Sequence, residues 1–364
     1  MRIVVTHDFF ETFGGAERVT AEIAATFPDA PVHAILGRRS VATRMGIEDR
    51  VQTILPSRHR LQQHYRGLAP AYPWLVRRAR LPKADLVISS SYAYAHGFGA
   101  ANGAPKLCYS HGPVRHLWSQ PDIYAAHLPG GGAVRHAFGL YVRAARAADR
   151  GAAESIDRFL TQSPFTAELI ARSYGCRAEI VPPPVNCDLF RPSGRPAQGY
   201  FLFVGRLVEA YKRPSVVIDA FAQMPDRQLL IAGDGPALDA LRRRATDNVE
   251  FLGGLSDHAL VEAMQGCEAV VFPSVDDFGL VPLEANACGR PVLALGAGGA
   301  LHTVKPGVSG ELFAEQSAAA VVRAVRAFDA RRYDTPAIRR HALQWDARRF
   351  RSRIQAAAHR LVDA

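Results

Sequence analysis

The sequence predicts an α/β protein made of two doubly wound parallel sheets that face one central cleft. Three observations carry this. Strand-sized apolar runs alternate with helix-like segments along the whole chain, the runs are continuous rather than alternating, and the pattern restarts after a Pro-rich break. Continuous apolar runs are expected of parallel strands buried on both faces. Alternating β and α units build open, doubly wound sheets. A chain of 364 residues fits two domains at roughly 100–200 residues each.

In chain order, the first half reads as strand "RIVVTH" (2–7), a helix after Gly15, and strand "PVHAIL" (31–36). A long basic region follows, then strands "DLVISS" (85–90) and "KLCYSH" (106–111), and a helix near 133–155. "RFLTQS" (158–163), a helix from Ser163 and "AEIVPPPV" (178–185) complete it. The segment "PPPVNCDLFRPSGRPAQG" (182–199) reads as a linker, because prolines remove backbone donors and Pro, Gly and Ser punctuate structure. The second half then offers strands at 200–207, 228–235, 249–255, 269–275 and 291–296, with helices between them. The final segment, "WDARRFRSRIQAAAHRLVDA", has the pattern of an amphipathic helix anchored by Trp345, Phe350, Ile354 and Leu361. The expected division is 1–185, 186–344, and a C-terminal helix 345–364 that packs back on the first domain.

Composition narrows the function classes. Hydrophobic content of 48% and charged content of 21% describe an ordinary globular chain. No apolar run reaches the ~18 residues of a spanning helix, and "MRIVVTHDFF" is not read as a secretory signal. Five scattered cysteines without a C-x-x-C pair point to reduced thiols and away from a structural metal site. The expected location is the cytoplasm, with a peripheral place at the inner face of the membrane as an extension. The net charge of +10 is lopsided: residues 1–195 hold 24 Lys+Arg against 15 Asp+Glu, and residues 196–364 hold 20 against 19. A basic half suits an anionic partner, whether a membrane surface or a phosphorylated substrate, and equally suits a solvated Arg-rich surface. No nucleic-acid-binding motif accompanies the charge, so that partner is not expected.

Ligands of such sheets bind outside the carboxyl ends of the strands, and four motifs lie there. In "FFETFGGAERV" (9–19), Gly14 and Gly15 open a helix whose free N–H groups suit a phosphate, although a plain strand-to-helix turn needs the same residues. It is neither a G-x-G-x-x-G nor a Walker A sequence. In "VGRLVEAYKRP" (204–214), the guanidinium of Arg206 and the ammonium of Lys212 could hold a diphosphate, or could be two solvated cations. In "CYSHGPVRHLW" (108–118), His111 ends a strand, where it could bind a substrate or shuttle a proton, or be an ordinary loop histidine. In "SVDDFGLVPLEANACGRPV" (274–292), a helix is expected to start around Gly279, with Asp276 in the preceding loop and Glu284 about one and a half turns in. Helix capping explains Asp276 or Asp277 as well, whereas a carboxylate inside an apolar helix wants a polar partner such as a polyhydroxylated ligand.

Together "GGAERV", "SHGPVRHLW", "VGRLVEAYKRP" and "DDFGLVPLEANACGRPV" resemble the retaining glycosyltransferases of family 4, over nearly the whole chain. The last motif is similar to their E-x7-E signature, with Asp276 at the first position and Glu284 at the second. His111, Pro113, Arg115 and Trp118 match the H-x-P-x-R-x-x-W stretch of bacterial mannosyltransferases of polysaccharide and O-antigen assembly. The resemblance implies the GT-B fold, two Rossmann-like domains with the acceptor bound mainly by the first and a nucleotide sugar mainly by the second. It implies that Arg206 and Lys212 hold the diphosphate, that Glu284 binds ribose hydroxyls and that Asp276 touches the donor sugar. Phe278, Gly279 and Leu280 would lie along sugar and phosphates, Gly254 and Leu255 along the base, Gly15 against the phosphate and His111 at the sugar or reaction centre.

The family retains anomeric configuration and needs no metal or cofactor, so the expected activity is hexosyl transfer, with mannose from GDP-mannose as donor. The acceptor is a glycan, a lipid-linked sugar or a small molecule. A UDP-sugar transferase acting on a soluble metabolite and a non-catalytic nucleotide-sugar-binding protein are the rival readings. Two departures bear on the sugar: aspartate for the first glutamate shortens that arm by one methylene, and His302 stands in "GAGGALHTV" where many relatives carry glutamate. The basic, aromatic stretch 58–83, with Tyr65, Tyr72, Trp74 and Leu75, suits contact with an anionic membrane or two ordinary surface helices.

Overall fold

The strand Tyr200–Val204 shows why these runs are unbroken. Phe201 and Phe203 pack into one apolar cluster, while Tyr200, Leu202 and Val204 pack into another. Successive side chains of a strand point to opposite faces, so a strand covered on both faces leaves no position for a polar alternate. Val271 and Leu293 repeat this against Val270, Phe272, Val292 and Ala294.

In this computed structural model, residues 1–56, 65–99, 103–126, 128 and 131–363 are described. The chain forms two units, Met1–Pro182 with Phe350–Ala364, and Pro183–Arg349. The first holds a seven-stranded parallel sheet: β1 (Ile3–Phe10), β2 (Val32–Gly37), β3 (Val51–Thr53), β4 (Leu86–Ser91), β5 (Lys106–Ser110), β6 (Arg158–Thr161) and β7 (Ala178–Ile180), in the order β3-β2-β1-β4-β5-β6-β7. The second holds β8 (Tyr200–Val204), β9 (Gln228–Ala232), β10 (Val249–Gly253), β11 (Val270–Phe272), β12 (Val292–Leu295) and β13 (Gly310–Phe313), also all parallel, in the order β10-β9-β8-β11-β12-β13. Each sheet reverses its strand order once, between β1 and β4 and between β8 and β11. A ligand site is expected at such a switch point, beyond the carboxyl ends of the two central strands.

Local signals set the helix ends. Helix Pro164–Tyr174 starts where Ser163 Oγ accepts from Thr166 N at 3.2 Å, with proline at its first position, and stops at Gly175 at φ 74°. The structure corrects three expectations. The strand at 178–185 ends at Ile180, since Pro182, Pro183 and Pro184 have no N–H for a ladder. Strands β3 and β13 were not expected; both are edge strands of three and four residues that bury only part of their side chains. The last helix is Ala347–Val362, and Trp345 is not one of its anchors. Trp345 closes the short turn Leu343–Trp345, stands edge-on to His341 at 4.8 Å and packs on the second unit's core. Phe350 and Ile354 are buried in the first unit's core, with Leu361 packed against it. Part of the stretch 58–83 lies outside the described residues; of the rest, Tyr65–Ala71 form a 3-10 turn, Tyr72–Arg78 a helix, and 79–83 neither helix nor strand. No helix among the described residues is long and apolar enough to cross a membrane.

Candidate active site

At the switch point of the second sheet, the loop after β8 and the loop after β11 run side by side. Val275 N donates to Tyr211 O at 3.3 Å. Lys212 Nζ and Asp276 Oδ2 meet at 2.5 Å, with side chains 14% and 21% exposed. Lys212, expected at the diphosphate, and Asp276, expected at the sugar, thus form an ion pair that bridges the two loops. Lys212 Nζ also lies 5.6 Å from the Phe272 ring centroid, a site that favours a cation. Arg206 shares the β8 loop and is exposed, and its side chain has no hydrogen-bond or ion-pair partner among the described residues. It is a cation with its donor fork free.

Backbone hydrogen bonds hold the near end of the β8 loop. Gly205 N donates to Ala232 O at 3.0 Å, Leu207 N to Asp234 O at 2.9 Å, and Ala237 N to Leu207 O at 3.1 Å. A Cβ on Gly233 would stand 1.9 Å from Gly205 O, and one on Gly235 2.5 Å from Leu207 O. The "AGDGP" glycines after β9 therefore let the two loops stack in direct contact, a role the sequence reading missed although the glycine pair at a strand end was its signal. At the far end of the loop, Arg213 has φ 51°, the one non-glycine residue at positive φ among those described. Such strain persists where surrounding structure imposes it. Here Glu209 contributes by accepting from Ser215 N at 3.1 Å and Ser215 Oγ at 2.6 Å, so the loop caps the helix Pro214–Ala222.

Beyond β11, Gly279 adopts φ 90° and opens the helix Leu280–Ala287. The first N–H groups of a helix have no intrahelical acceptor, so Leu280 stands where an anion would be held. Phe278 is buried in the core and fixes the loop between Asp276 and Gly279. Glu284 sits in the middle of the helix and is 6% exposed. A second glycine loop backs this one: Gly299 N donates to Asp276 O at 2.7 Å. His302 lies exposed in the short helix Ala300–Thr303 that follows. Gly254, exposed, and Leu255, half-buried, follow β10 at the edge of the sheet, two strands from β8.

At the switch point of the first sheet, Gly15 begins the helix Gly15–Thr26 and is exposed. Gly14 N already donates to Glu17 Oε2 at 2.9 Å, so a carboxylate stands at this helix end and competes with an incoming anion. His111 follows β5 and is buried, 9% exposed, so it is not an ordinary loop histidine. Its Nε2 lies 2.9 Å from Ser90 Oγ, and its carbonyl accepts from Gln162 Nε2 at 2.8 Å. Burial, with a smaller effect from the His7 charge, pushes its pKa down to about 3. The ring is neutral at ordinary pH, which suits a hydrogen-bonding role better than that of a cation. Asp8, fully buried, fixes the loop after β4 by accepting from four successive N–H groups, Tyr92 to Ala95, at 2.5–3.0 Å.

The rest of the "HGPVRHLW" stretch is anchored rather than presented. Trp118 Nε1 donates to Asp149 Oδ2 at 2.7 Å, and Tyr174 OH donates to the same oxygen at 2.9 Å. His96 Nε2 lies 3.1 Å from Asp149 Oδ1. His116 stacks on Tyr141 with centroids 6.2 Å apart. Among the described residues no group of three or more His, Cys, Asp or Glu could hold a metal ion.

Comparison with known proteins agrees with this geometry. Residues 13–189 match the family described as Glycosyltransferase Family 4, and residues 189–341 match Glycosyl transferases group 1. The D-inositol 3-phosphate glycosyltransferase of Mycolicibacterium smegmatis is 31% identical over 229 residues, 55% of this chain and 52% of that protein. That of Geodermatophilus obscurus is 32% identical over 268 residues, 63% of this chain and 59% of that protein. The matched stretches thus span little more than half the length of these curated relatives. Among solved structures, Anabaena HepE in complex with UDP-glucose superposes with a TM-score of 0.73 at 21% identity, covering 99% of this chain and 100% of that one. The lipopolysaccharide outer core galactosyltransferase WaaB superposes with a TM-score of 0.66 at 19% identity, covering 98% and 99%. These likenesses establish the GT-B fold.

Proposed function

Because this chain belongs to the glycosyltransferases of family 4 and group 1, we propose that it is a retaining hexosyltransferase that takes its sugar from a nucleoside diphosphate sugar. The observation that carries the proposal is the group at the second sheet's switch point: the free Arg206, the Lys212–Asp276 pair and the buried Glu284 on the helix beyond Gly279. Arg206 and Lys212 neutralise the diphosphate as the bond from the anomeric carbon to its phosphate oxygen breaks. Asp276 keeps Lys212 in place and offers its other oxygen to the sugar, and Glu284 takes the ribose hydroxyls. No carboxylate is assigned as a nucleophile. The acceptor hydroxyl attacks from the face the diphosphate leaves, and its proton passes to a phosphate oxygen of the departing group. The nucleoside diphosphate leaves with that proton and the configuration is retained.

Mannose from GDP-mannose is the first donor reading. It rests on the His111, Pro113, Arg115 and Trp118 pattern. A second reading is a UDP-sugar passed to a small phosphorylated acceptor: the acceptor is favoured by the name of the relatives, D-inositol 3-phosphate glycosyltransferase, and the base by the UDP-glucose complex of HepE. A panel of GDP- and UDP-sugars decides. Donor hydrolysis and transfer should be confined to one base, with the sugar product in the α or β form of its donor. Tight nucleotide binding with neither hydrolysis nor transfer would make the chain a binding protein.

For a lipid-linked acceptor, two helices of the first unit are the candidate membrane contact. Helix Tyr72–Arg78 carries Trp74, 57% exposed, with the Arg78 guanidinium 4.6 Å from its ring centroid. Helix Gly132–Ala153 packs against it and exposes Val134, Leu140, Arg135 and Arg143. Exposed basic and apolar groups mixed on these two helices suit an anionic interface. The protein should sediment with phosphatidylglycerol vesicles at low salt, and Trp74→Ala should weaken this several-fold. Equal sedimentation of both proteins, or none of either, would remove the surface from the proposal.

A further inference from the structure

His111 is held by a chain of buried polar groups drawn from two strands and a helix. The register places His7 of β1 beside Ser90 of β4, and Ser90 beside Tyr109 of β5, one residue before Ser110 and two before His111. His7, Thr20 and Ser90 are each fully buried. Parallel strands bring apolar side chains to such positions, so three adjacent polar ones cost free energy unless their hydrogen bonds are complete.

Donor accounting along the chain narrows its direction to where Thr20 places its one proton. His7 Nδ1 lies 3.0 Å from Ser90 O, a carbonyl that can only accept, so Nδ1 carries a proton. The same nitrogen lies 2.9 Å from Thr20 Oγ1, which therefore accepts from it. Thr20 Oγ1 has one proton for two acceptors, Ser90 Oγ at 2.8 Å and Ala16 O at 2.9 Å, and the relay requires that the nearer, Ser90 Oγ, receive it. Ser90 Oγ, once supplied from Thr20, has its own proton free for His111 Nε2 at 2.9 Å. A neutral imidazole carries one proton, so an Nε2 that accepts leaves that proton on Nδ1. His111 Nδ1 has no hydrogen-bond partner among the described residues. At the far end, Glu17 Oε1 stands 3.5 Å from His7 Nε2. Tyr109, edge-on at 5.2 Å, is the other titratable ring against His111.

We propose that His7, Thr20 and Ser90 form a hydrogen-bond relay that locks His111 in its Nδ1–H tautomer, so that the ring meets its ligand as a hydrogen-bond donor and not as a base. The three are positioning residues, and His111 is the group they aim. Given the reading above, the ligand atom is a sugar or phosphate oxygen of the donor. A histidine of free tautomer would spend part of its time presenting a lone pair to that oxygen.

The test reads the tautomer first. Protein labelled with 15N-histidine, with His111 assigned by its disappearance in His111→Asn, should show the Nδ1–H form alone at about pH 7.5 without any ligand. Thr20→Val and Ser90→Ala should mix the two tautomers, and Thr20→Ser, which keeps the oxygen, should preserve the single form. With the best donor of the panel, Thr20→Val should lower kcat about tenfold with nucleotide Kd unchanged, and Thr20→Ser should restore it. The Nε2–H form in the parent protein, or unchanged tautomers in both Thr20→Val and Ser90→Ala, would overturn the relay. Since the spectrum needs no substrate, a panel without transfer sinks the assigned activity and leaves the relay to be judged alone.

Discussion

Lys212→Ala lowers turnover with the preferred donor by about 100-fold or more, and Arg206→Ala by a smaller factor of about tenfold. Removing one charge stabiliser aimed at a leaving group costs about 100-fold or more in turnover in well-studied sites. The two cations differ in setting. Arg206 is exposed, so water and salt screen what it contributes. Lys212 is largely enclosed and paired with Asp276 at 2.5 Å. Its loss leaves a partly buried carboxylate without a counter-ion, next to the position given to an anionic diphosphate. The substrate then meets one negative charge in place of a neutral pair, and removing one member of an enclosed pair is costly for that reason. The double variant Lys212→Ala with Asp276→Asn separates the effects. It removes the stranded carboxylate and should recover part of the lost donor affinity, visible in KM, while kcat stays low. Steady-state kcat and KM for the four proteins, at low and high salt, check this. A Lys212→Ala enzyme within about threefold of the parent, or a double variant weaker in donor binding than the single, would remove Lys212 from the diphosphate site.

The pairing behind that prediction was invisible in the sequence, for a definite reason. Lys212 and Asp276 are 64 positions apart, and they meet only because β8 and β11 are neighbours. The apolar runs locate strands but do not order them, so the four loops were found one by one and never as pairs. The same holds for His7, Ser90 and His111, whose contact needs the order β1-β4-β5. Two polar signals stood in plain view: "TH" inside the apolar run of β1, and three serines ending β4. A buried parallel strand tolerates such groups only when they are satisfied. Central strands were legible because both faces exclude water. Edge strands β3 and β13 were not, because they are short and half covered and so carry no distinctive run. Trp345 was misplaced because a helical apolar period continues through Leu343–Trp345, whereas the backbone breaks at Asp346, where φ −56° and ψ 142° lie outside the helical region.

Gly299→Ala should cripple the donor site from behind, by displacing the loop from Asp276 to Gly279 and not by changing any of its side chains. Gly299 has φ −66° and ψ −24°, a conformation alanine adopts freely, so backbone strain is not the obstacle. The obstacle is space. A Cβ there would lie 2.1 Å from Phe278 O and 2.2 Å from both Phe278 C and Cα. All three are main-chain atoms and cannot rotate away. The Phe278 side chain is buried in the second unit's core, so its backbone cannot retreat without opening that core. The loops must part, and with them goes the 2.7 Å bond from Gly299 N to Asp276 O. Overpacking of this kind costs about 1–3 kcal/mol, which calorimetry should read as a lower Tm. Displacing Asp276 by about an ångström should also loosen its contact with Lys212, and a misplacement of that size can cost about 100-fold in rate. Gly307→Ala is the control. Gly307 sits at φ 73° with nothing within 4 Å of its Cβ position, so that variant meets the left-handed conformation alone, at about 1–2 kcal/mol. Gly307→Ala should therefore lower Tm with donor affinity and turnover intact, whereas Gly299→Ala should lower all three. Loss of stability alone in Gly299→Ala, with nucleotide-sugar affinity and kcat equal to the control, would mean that the loop from Asp276 to Gly279 takes no part in holding the donor.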